Sequence, residues 1–425
     1  MQLAAWLANN ILSQAPILIG LVACVGLIAQ QKPFTSVLSG TLKTITGFVI
    51  MTSGSSVLVG MLNNFLSPVI VQAFGLEAPA AMAGMGYDKF LLDWGGIAAL
   101  IMTVGFLVNL ALARFTPFKY VYLTGHLMWL AAQIVTCVML EIKSSMPTGT
   151  IVLIGGLICG VYWTLQPAYM HGFMKKLTNQ DAVAYGHTSS SPAFLGAFLG
   201  KFVGKAEDGT EKLKLPDSLN FFRDVTVSIA LIMSLVTVIA VLFAGPEFVS
   251  KFTGGKNYIV YAIMQGVTFA AGTAILLTGV RLVLGEIIPA FRGISAKLVP
   301  NAKPALDCPV VFSYAPTAVL VGFLSAFVSF VILMFVFSAT GYAIIIPPLV
   351  MLFFPGGASG VFGNSTGGVK GAILGGSICG ILLAFGQAIG GRVLGATVPQ
   401  LAMRADPDLH ILMIVVKYIG RLFVH

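Results

Sequence analysis

The sequence predicts an all-α polytopic membrane protein of about eleven transmembrane helices. Hydrophobic residues make up 57% of the 425-residue chain and Asp, Glu, Lys and Arg only 9%, against roughly 25% charged in ordinary globular domains. Mean hydropathy is +0.94. So few polar side chains cannot coat a water-soluble body, and lipid must be the solvent for most of the surface. Charge-free runs of the length a spanning helix needs, ~20 residues, recur along the chain. The same composition excludes disorder, collagen, coiled coil and a secreted disulfide scaffold.

The spans follow in order. Ile11–Gln30 opens the series and has no basic residues before it, so it is expected to be a first span and not a cleaved signal peptide. Ser36–Gly75 is interrupted only by Lys43 and is expected to hold one long span plus a re-entrant or interfacial piece. Gly95–Ala113, Tyr120–Leu140, Thr148–Met174, Val225–Gly245, Asn257–Val280 and Gly371–Gly391 each suit one span. Cys308–Val369 is charge-free for 62 residues, too long for one helix. It reads as two spans and a hairpin broken around Pro347, Pro348 and Pro355-Gly356-Gly357. His410–Val424 is a weaker final span.

The net charge of +9 is spread through the chain with no basic block, which fits cytoplasmic anchoring better than a nucleic-acid footprint. An N-out, C-in arrangement places sixteen basic residues inside and six outside, with Lys43 and Arg281 near span interiors. The stretch Lys201–Arg223 then forms a cytoplasmic loop. The five cysteines lie in apolar stretches without CxxC spacing and read as packing residues, with no metal or cofactor implied.

Three weak matches recur in the same order in each half. Gly54-x5-Gly60 with Pro68 is echoed by Gly279-x5-Gly285 with Pro289, Tyr122–His126 by Tyr314–Ala318, and Tyr185–Ser189 by Phe362–Thr366. A five-span unit used twice has inverted topology, because five is odd. Inverted repeats with broken helices are the architecture of alternating-access transporters.

Polar residues inside lipid carry the functional information, because each is costly unless it meets a cavity or a partner. The segment Thr124-Gly125-His126-Leu127-Met128-Trp129-Leu130 puts a histidine at the start of a span. It reads either as a packing histidine or as a ligand donor at a helix N-terminus, where free N–H groups favour an anion. Tyr185-Gly186-His187-Thr188-Ser189-Ser190-Ser191-Pro192 reads as a hairpin tip, as a plain N-cap of a helix over Ala193–Phe202, or as both. Asp307 enters the longest uncharged stretch just before Pro309 and reads as a helix cap or as an acceptor for sugar-type hydroxyls. Asp93 looks interfacial, and Glu286 lies at the end of its span. No nucleophile–base pair, Walker loop or HExxH is detectable.

At these same places the sequence resembles the ascorbate-type membrane subunit (enzyme IIC) of the bacterial sugar phosphotransferase system. The matching stretches are Leu123–Met128, Tyr185–His187, Leu306–Cys308 with Tyr314–Pro316, and Ile345–Pro348 through Gly360–Gly363. Gly279–Arg281 and the Leu213–Pro216 loop match as well, so the resemblance spans nearly the whole chain.

The resemblance implies an eleven-span homodimer in the cytoplasmic (inner) membrane, built from a dimerising V-motif and a mobile core. It implies that residues 1–75 and 225–290 belong mainly to the V-motif, 76–204 and 300–391 mainly to the core, 205–224 to a cytoplasmic loop and 408–425 to the last helix. It implies elevator-type uptake of L-ascorbate or a related sugar acid, with phosphate supplied by a separate cytoplasmic IIB protein, so the chain itself is no enzyme. The substrate positions it implies are His126, Leu127, Met128, Leu130, His187, Thr188 and Asp307.

The sequence departs from the family in three places. Leu130 and Thr188 stand where the family has glutamines, and its Thr-Tyr contact has no placed counterpart around Pro79–Gly84. An ion-coupled secondary transporter of a small polar solute is the competing class, and a paired intramembrane charge would be its signature. A membrane enzyme, the third class, would need a nucleophile or metal set.

Overall fold

The computed structural model describes residues 14–76, 84–212 and 224–423. Pro79–Ala83, the Leu213–Pro216 match and the start of the first expected span at Ile11 lie outside the described residues.

Apolar runs become helices because a chain in lipid must satisfy every backbone group within itself. The helices are α1 (Ala15–Ala29), α2 (Phe34–Met61), α3 (Ser67–Ala73), α4 (Tyr87–Phe115), α5 (Gly125–Ile142), α6 (Thr148–Thr178) and α7 (Ser190–Val203). They continue as α8 (Val225–Ala244), α9 (Pro246–Thr253), α10 (Tyr258–Lys297), α11 (Pro309–Phe312), α12 (Pro316–Ala339), α13 (Leu349–Val393), α14 (Gln400–Met403) and α15 (Pro407–Phe423). Eight helical stretches among the described residues are long and apolar enough to cross a membrane. The chain is a multi-pass, mainly α-helical membrane protein. α1, α7 and α15 are shorter than those eight.

α2 and α3 join through one π-helical turn at Leu62–Leu66, so the expected re-entrant piece is a continuation of the same 40-residue helix. α10 is also 40 residues long and carries Pro289 within it. α1, α2, α8 and α10 pack on one another, α4 packs along α6, and α7 and α12 pack along α13. Gly54 and Gly279, the first pair of the suspected repeat, both lie where α2 crosses α10, each against the other helix's backbone. The second and third pairs fall in unlike elements: Tyr122 and Tyr185 end strands, whereas Tyr314 follows α11 and Phe362 lies within α13.

α13 is a tight helical hairpin. Gly368 has φ +60° and breaks the helix. Gly363 then faces the backbone of Gly371, and Gly375 faces Ser359, the pairing of two antiparallel legs. The turn therefore sits at Gly367-Gly368 and not at the expected Pro355–Gly357, which lies inside the first leg. Gly356 and Gly357 serve close approach to α12 instead, the usual role of small residues between helices in lipid.

Sequence reading did not anticipate a small parallel sheet in the order β1 (Tyr120–Tyr122), β3 (Lys303–Leu306), β2 (Ala184–Tyr185). Tyr122 and Ala184 both pair with Ala305, and Tyr185 pairs with Leu306. An edge strand inside a membrane needs partners for its free groups. Asn109 of α4 supplies them: its amide donates to Tyr120 O at 3.1 Å, and its Oδ1 accepts from Tyr122 N at 3.0 Å. At the other end of the sheet Lys303 donates to Asp181 at 2.7 Å, which holds the Asp181 carboxyl below its usual range.

Candidate functional site

The three strands point the same way, and each of the three site motifs begins at a strand's C-terminal end. β1 leads into Thr124 and His126, β2 into Gly186 and His187, and β3 into Asp307. The ends of parallel strands are where loops converge and ligands are held. Backbone bonds continue the register beyond the strands, with Leu123 N donating to Ala305 O (3.0 Å) and Gly186 N to Leu306 O (2.8 Å). Thr124 Oγ1 donates to Gly186 O at 2.5 Å and ties the two outer loops together.

Because β3 is central, Asp307 is flanked by both histidines. Its Oδ2 lies 3.7 Å from His126 Nε2 and its Oδ1 lies 3.5 Å from His187 Nε2. The carboxylate also accepts from Cys308 N, the N–H of the next residue, at 2.6 Å; Cys308 holds the N-cap position of α11, which has no side-chain capping bond, so Asp307 does not cap it. His187 is buried, whereas the His126 side chain is 55% exposed. The Cys308 thiol joins His187 and Asp307 in a group whose ligand atoms lie within 4.8 Å of one another, a spacing a divalent ion can use.

These residues line a cavity of about 680 Å³, within the range of small-molecule sites. His126, Leu127, Leu130, His187 and Asp307 form one wall, and Met51, Thr52 and Ser55 of α2 face them. Of the seven substrate positions implied by resemblance, Met128 and Thr188 are not on the wall. Both are fully buried. Met128 packs into the core between α4, α5 and α6. Thr188 Oγ1 donates to the Asp406 carboxylate, a contact that takes its hydroxyl away from any ligand.

Asp406 belongs to a turn that sequence reading missed. Arg404-Ala405-Asp406-Pro407-Asp408 joins α14 to α15, and both Arg404 and Asp406 line the cavity. Asp406 lies 3.8 Å from His187 Nδ1, so His187 stands between two carboxylates. Asp408 is buried and accepts from Ser190 N (3.1 Å), Ser191 N (2.9 Å) and Gln166 Nε2 (2.7 Å). It therefore caps α7, which starts at Ser190 and not at Ala193. The expected serine cap is absent: Ser189 makes no capping bond, and its hydroxyl pairs with His187 Nδ1 (2.9 Å) and Tyr185 Oη (2.7 Å). Three charged residues within five around one proline, between two apolar helices, were the signal available in the sequence.

Three further pairs of charges lie on the described helices. Asp93 is an exposed partner of Lys89 at 2.6 Å, and Glu286 lies 3.7 Å from Lys43. Glu141 and Lys417 form a buried pair at 3.1 Å. Glu141 Oε1 also accepts from Ala396 N and Thr397 N, both at 2.8 Å, and Lys417 donates to Val393 O. Tyr87 stands just past the window around Pro79–Gly84; its hydroxyl contacts Gln133 and its ring lies under Arg404 at 5.5 Å.

Comparisons with known proteins give the family. The family model EIIC-GAT, described as "PTS system sugar-specific permease component", matches residues 10–408. The chain is 29% identical over 428 residues to the "Ascorbate-specific PTS system EIIC component" of Mycoplasma pneumoniae, covering 88% of this chain and 64% of that protein. It thus spans less than two thirds of that relative's length. The family match covers the strand ends, the cavity and both long helices together, so this chain belongs to the sugar-specific permease components of the phosphotransferase system.

Proposed function

We propose that this chain is the membrane subunit that binds and translocates L-ascorbate, or a related sugar acid, across the cytoplasmic membrane. The observation that carries the reading is the convergence of His126, His187 and Asp307 at the ends of three parallel strands, on one cavity, in a chain of this family. A carboxylate and two imidazoles provide the acceptors and donors that a polyhydroxylated acid needs. Leu127 and Leu130 supply the apolar part of the wall.

Transport in this reading is an elevator-type movement of a core against a dimerising frame. Residues 76–204 and 300–391 form the moving part, and 1–75 and 225–290 the frame of a homodimer. The packing of α1, α2 and α8 against α10 supports that division. The cavity lies between α2 of the frame and the strand ends of the core, where such a movement would carry a ligand. In this reading the phosphate comes from a separate cytoplasmic IIB partner. The N-terminus lies outside and the C-terminus inside on the distribution of basic residues. The Glu141–Lys417 pair is the feature that an ion-coupled transporter would show, but neither residue lines the cavity and both are also bonded to backbone groups.

Uptake of labelled L-ascorbate into cells lacking their own permease, with and without a IIB protein, tests the reading. Accumulation that depends on both proteins is the expected result. Accumulation that needs a proton or sodium gradient and no IIB would replace it with the ion-coupled class.

A further inference from the structure

One assignment gives the negative charge of an acid ligand to the two histidines and to free N–H groups at helix starts. The structure removes much of that assignment. The first N–H groups of α7 are already taken by Asp408. His187 lies between Asp307 and Asp406, so any charge it gains is shared with those two carboxylates. The cavity wall therefore holds two carboxylates, and an anionic ligand would be repelled without a permanent cation.

One residue of the lining is such a cation. Arg404 stands on the α14–α15 turn, two residues before Asp406, and is the one Lys or Arg on the cavity wall among the described residues. No carboxylate of the described residues forms an ion pair with it. Its guanidinium rests on the Tyr87 ring at 5.5 Å, an arrangement that orients the fork without consuming its five donors. A guanidinium left free of acids at the edge of a two-carboxylate cavity is suited to bidentate recognition of a carboxylate or an enediolate.

We infer that Arg404 is a specificity-determining residue that selects the anionic form of the ligand, while Asp307 takes its hydroxyls. The inference rests on the sugar-acid reading above and adds to it a residue that no motif marked. Tyr87 is a positioning residue for Arg404.

The test uses the purified full chain and paired probes: L-ascorbate against neutral L-gulono-1,4-lactone, and D-gluconate against its neutral lactone, each by ligand-induced thermal stabilisation. Wild type should prefer the acid of at least one pair, with a preference that falls as ionic strength rises. Arg404→Gln should cost the acid about 10- to 100-fold in affinity, the range of one charge-assisted contact, and the neutral partner less than about threefold. Arg404→Lys, which keeps the charge but not the fork, should recover part of the loss for the acid only, which a merely structural role would not allow. Tyr87→Leu should weaken the acid by less than Arg404→Gln does. Equal losses for acid and neutral probe, no loss for either, or a wild type that prefers no acid would overturn the inference. The ascorbate reading is judged separately, by whether ascorbate itself stabilises wild type. Preference for gluconate alone would sink that reading and leave Arg404 standing.

Discussion

Asp307 Oδ1 lies 3.5 Å from His187 Nε2, although 120 residues of sequence separate them. The contact exists because β3 pairs with β2, so that Leu306 stands opposite Tyr185 and the next residues of each chain emerge side by side. A similar relation across β1 brings His126 to within 3.7 Å of the same carboxylate. A sheet of nine strand residues thus assembles the polar centre of the cavity.

Thr188 and Leu130, which stand where the resemblance implies glutamines, should respond in opposite ways to substitution by glutamine. Leu130 lines the cavity with space before it, so Leu130→Gln should be tolerated and add a donor toward the ligand. Thr188 is fully buried and bonded to Asp406, so Thr188→Gln should displace that carboxylate and loosen His187. The expected outcome is weaker binding and a loss of ~1–3 kcal/mol in stability for Thr188→Gln. Ligand titration and thermal unfolding of both variants decide it. Tighter binding by Thr188→Gln would show that the side chain reaches the ligand after all.

The Glu141–Lys417 pair should behave as a structural pin for α15. Lys417→Met leaves a buried carboxylate without its cation and should destabilise the protein by ~3–5 kcal/mol. The double variant Glu141→Gln with Lys417→Met should recover most of that loss, because the amide still accepts from the Ala396 and Thr397 N–H groups. Thermal unfolding in detergent gives the comparison. A loss of uptake in a double variant of native stability would indicate a role in coupling.

The turn of the α13 hairpin depends on Gly368. Its φ of +60° disfavours any side chain, and a Cβ there would collide with the backbone carbonyls of Lys205 and Asp208. Gly368→Ala should cost at least ~1–2 kcal/mol. Gly96→Ala, on a helix position with open space, serves as the control and should leave the melting temperature unchanged or slightly raised.

Much of this was legible beforehand, and the failures share a cause. His126, His187 and Asp307 stood out because polar groups in apolar sequence are costly without a partner. The strands that gather them were invisible: two to four residues long, they show no alternation that separates them from apolar helix. Arg404, Asp406 and Asp408 were passed over because a charged turn beside a proline looks like an ordinary solvent-facing connection, and only the fold turns it inward. Pro355-Gly356-Gly357 looked like a hairpin tip because Pro and Gly mark turns in water, whereas in lipid the same glycines allow helices to pack closely.

The N-out, C-in orientation proposed from the basic residues can be tested at exposed positions. A cysteine replacing Ser144 should react with an impermeant thiol reagent added to intact cells, and one replacing Glu207 only after the inner face is opened. The reverse pattern would invert the topology.

Equilibrium binding of L-ascorbate to the purified chain, without any IIB protein, tests the central claim most directly. Wild type should bind, and Asp93→Asn should match it, because Asp93 is an exposed partner of Lys89 and does not line the cavity. Asp307→Asn should bind about ten- to a hundredfold more weakly, the value of a charge-assisted hydrogen bond of ~1.5–3 kcal/mol. Unchanged affinity in Asp307→Asn, or binding that appears only when IIB is added, would contradict the account.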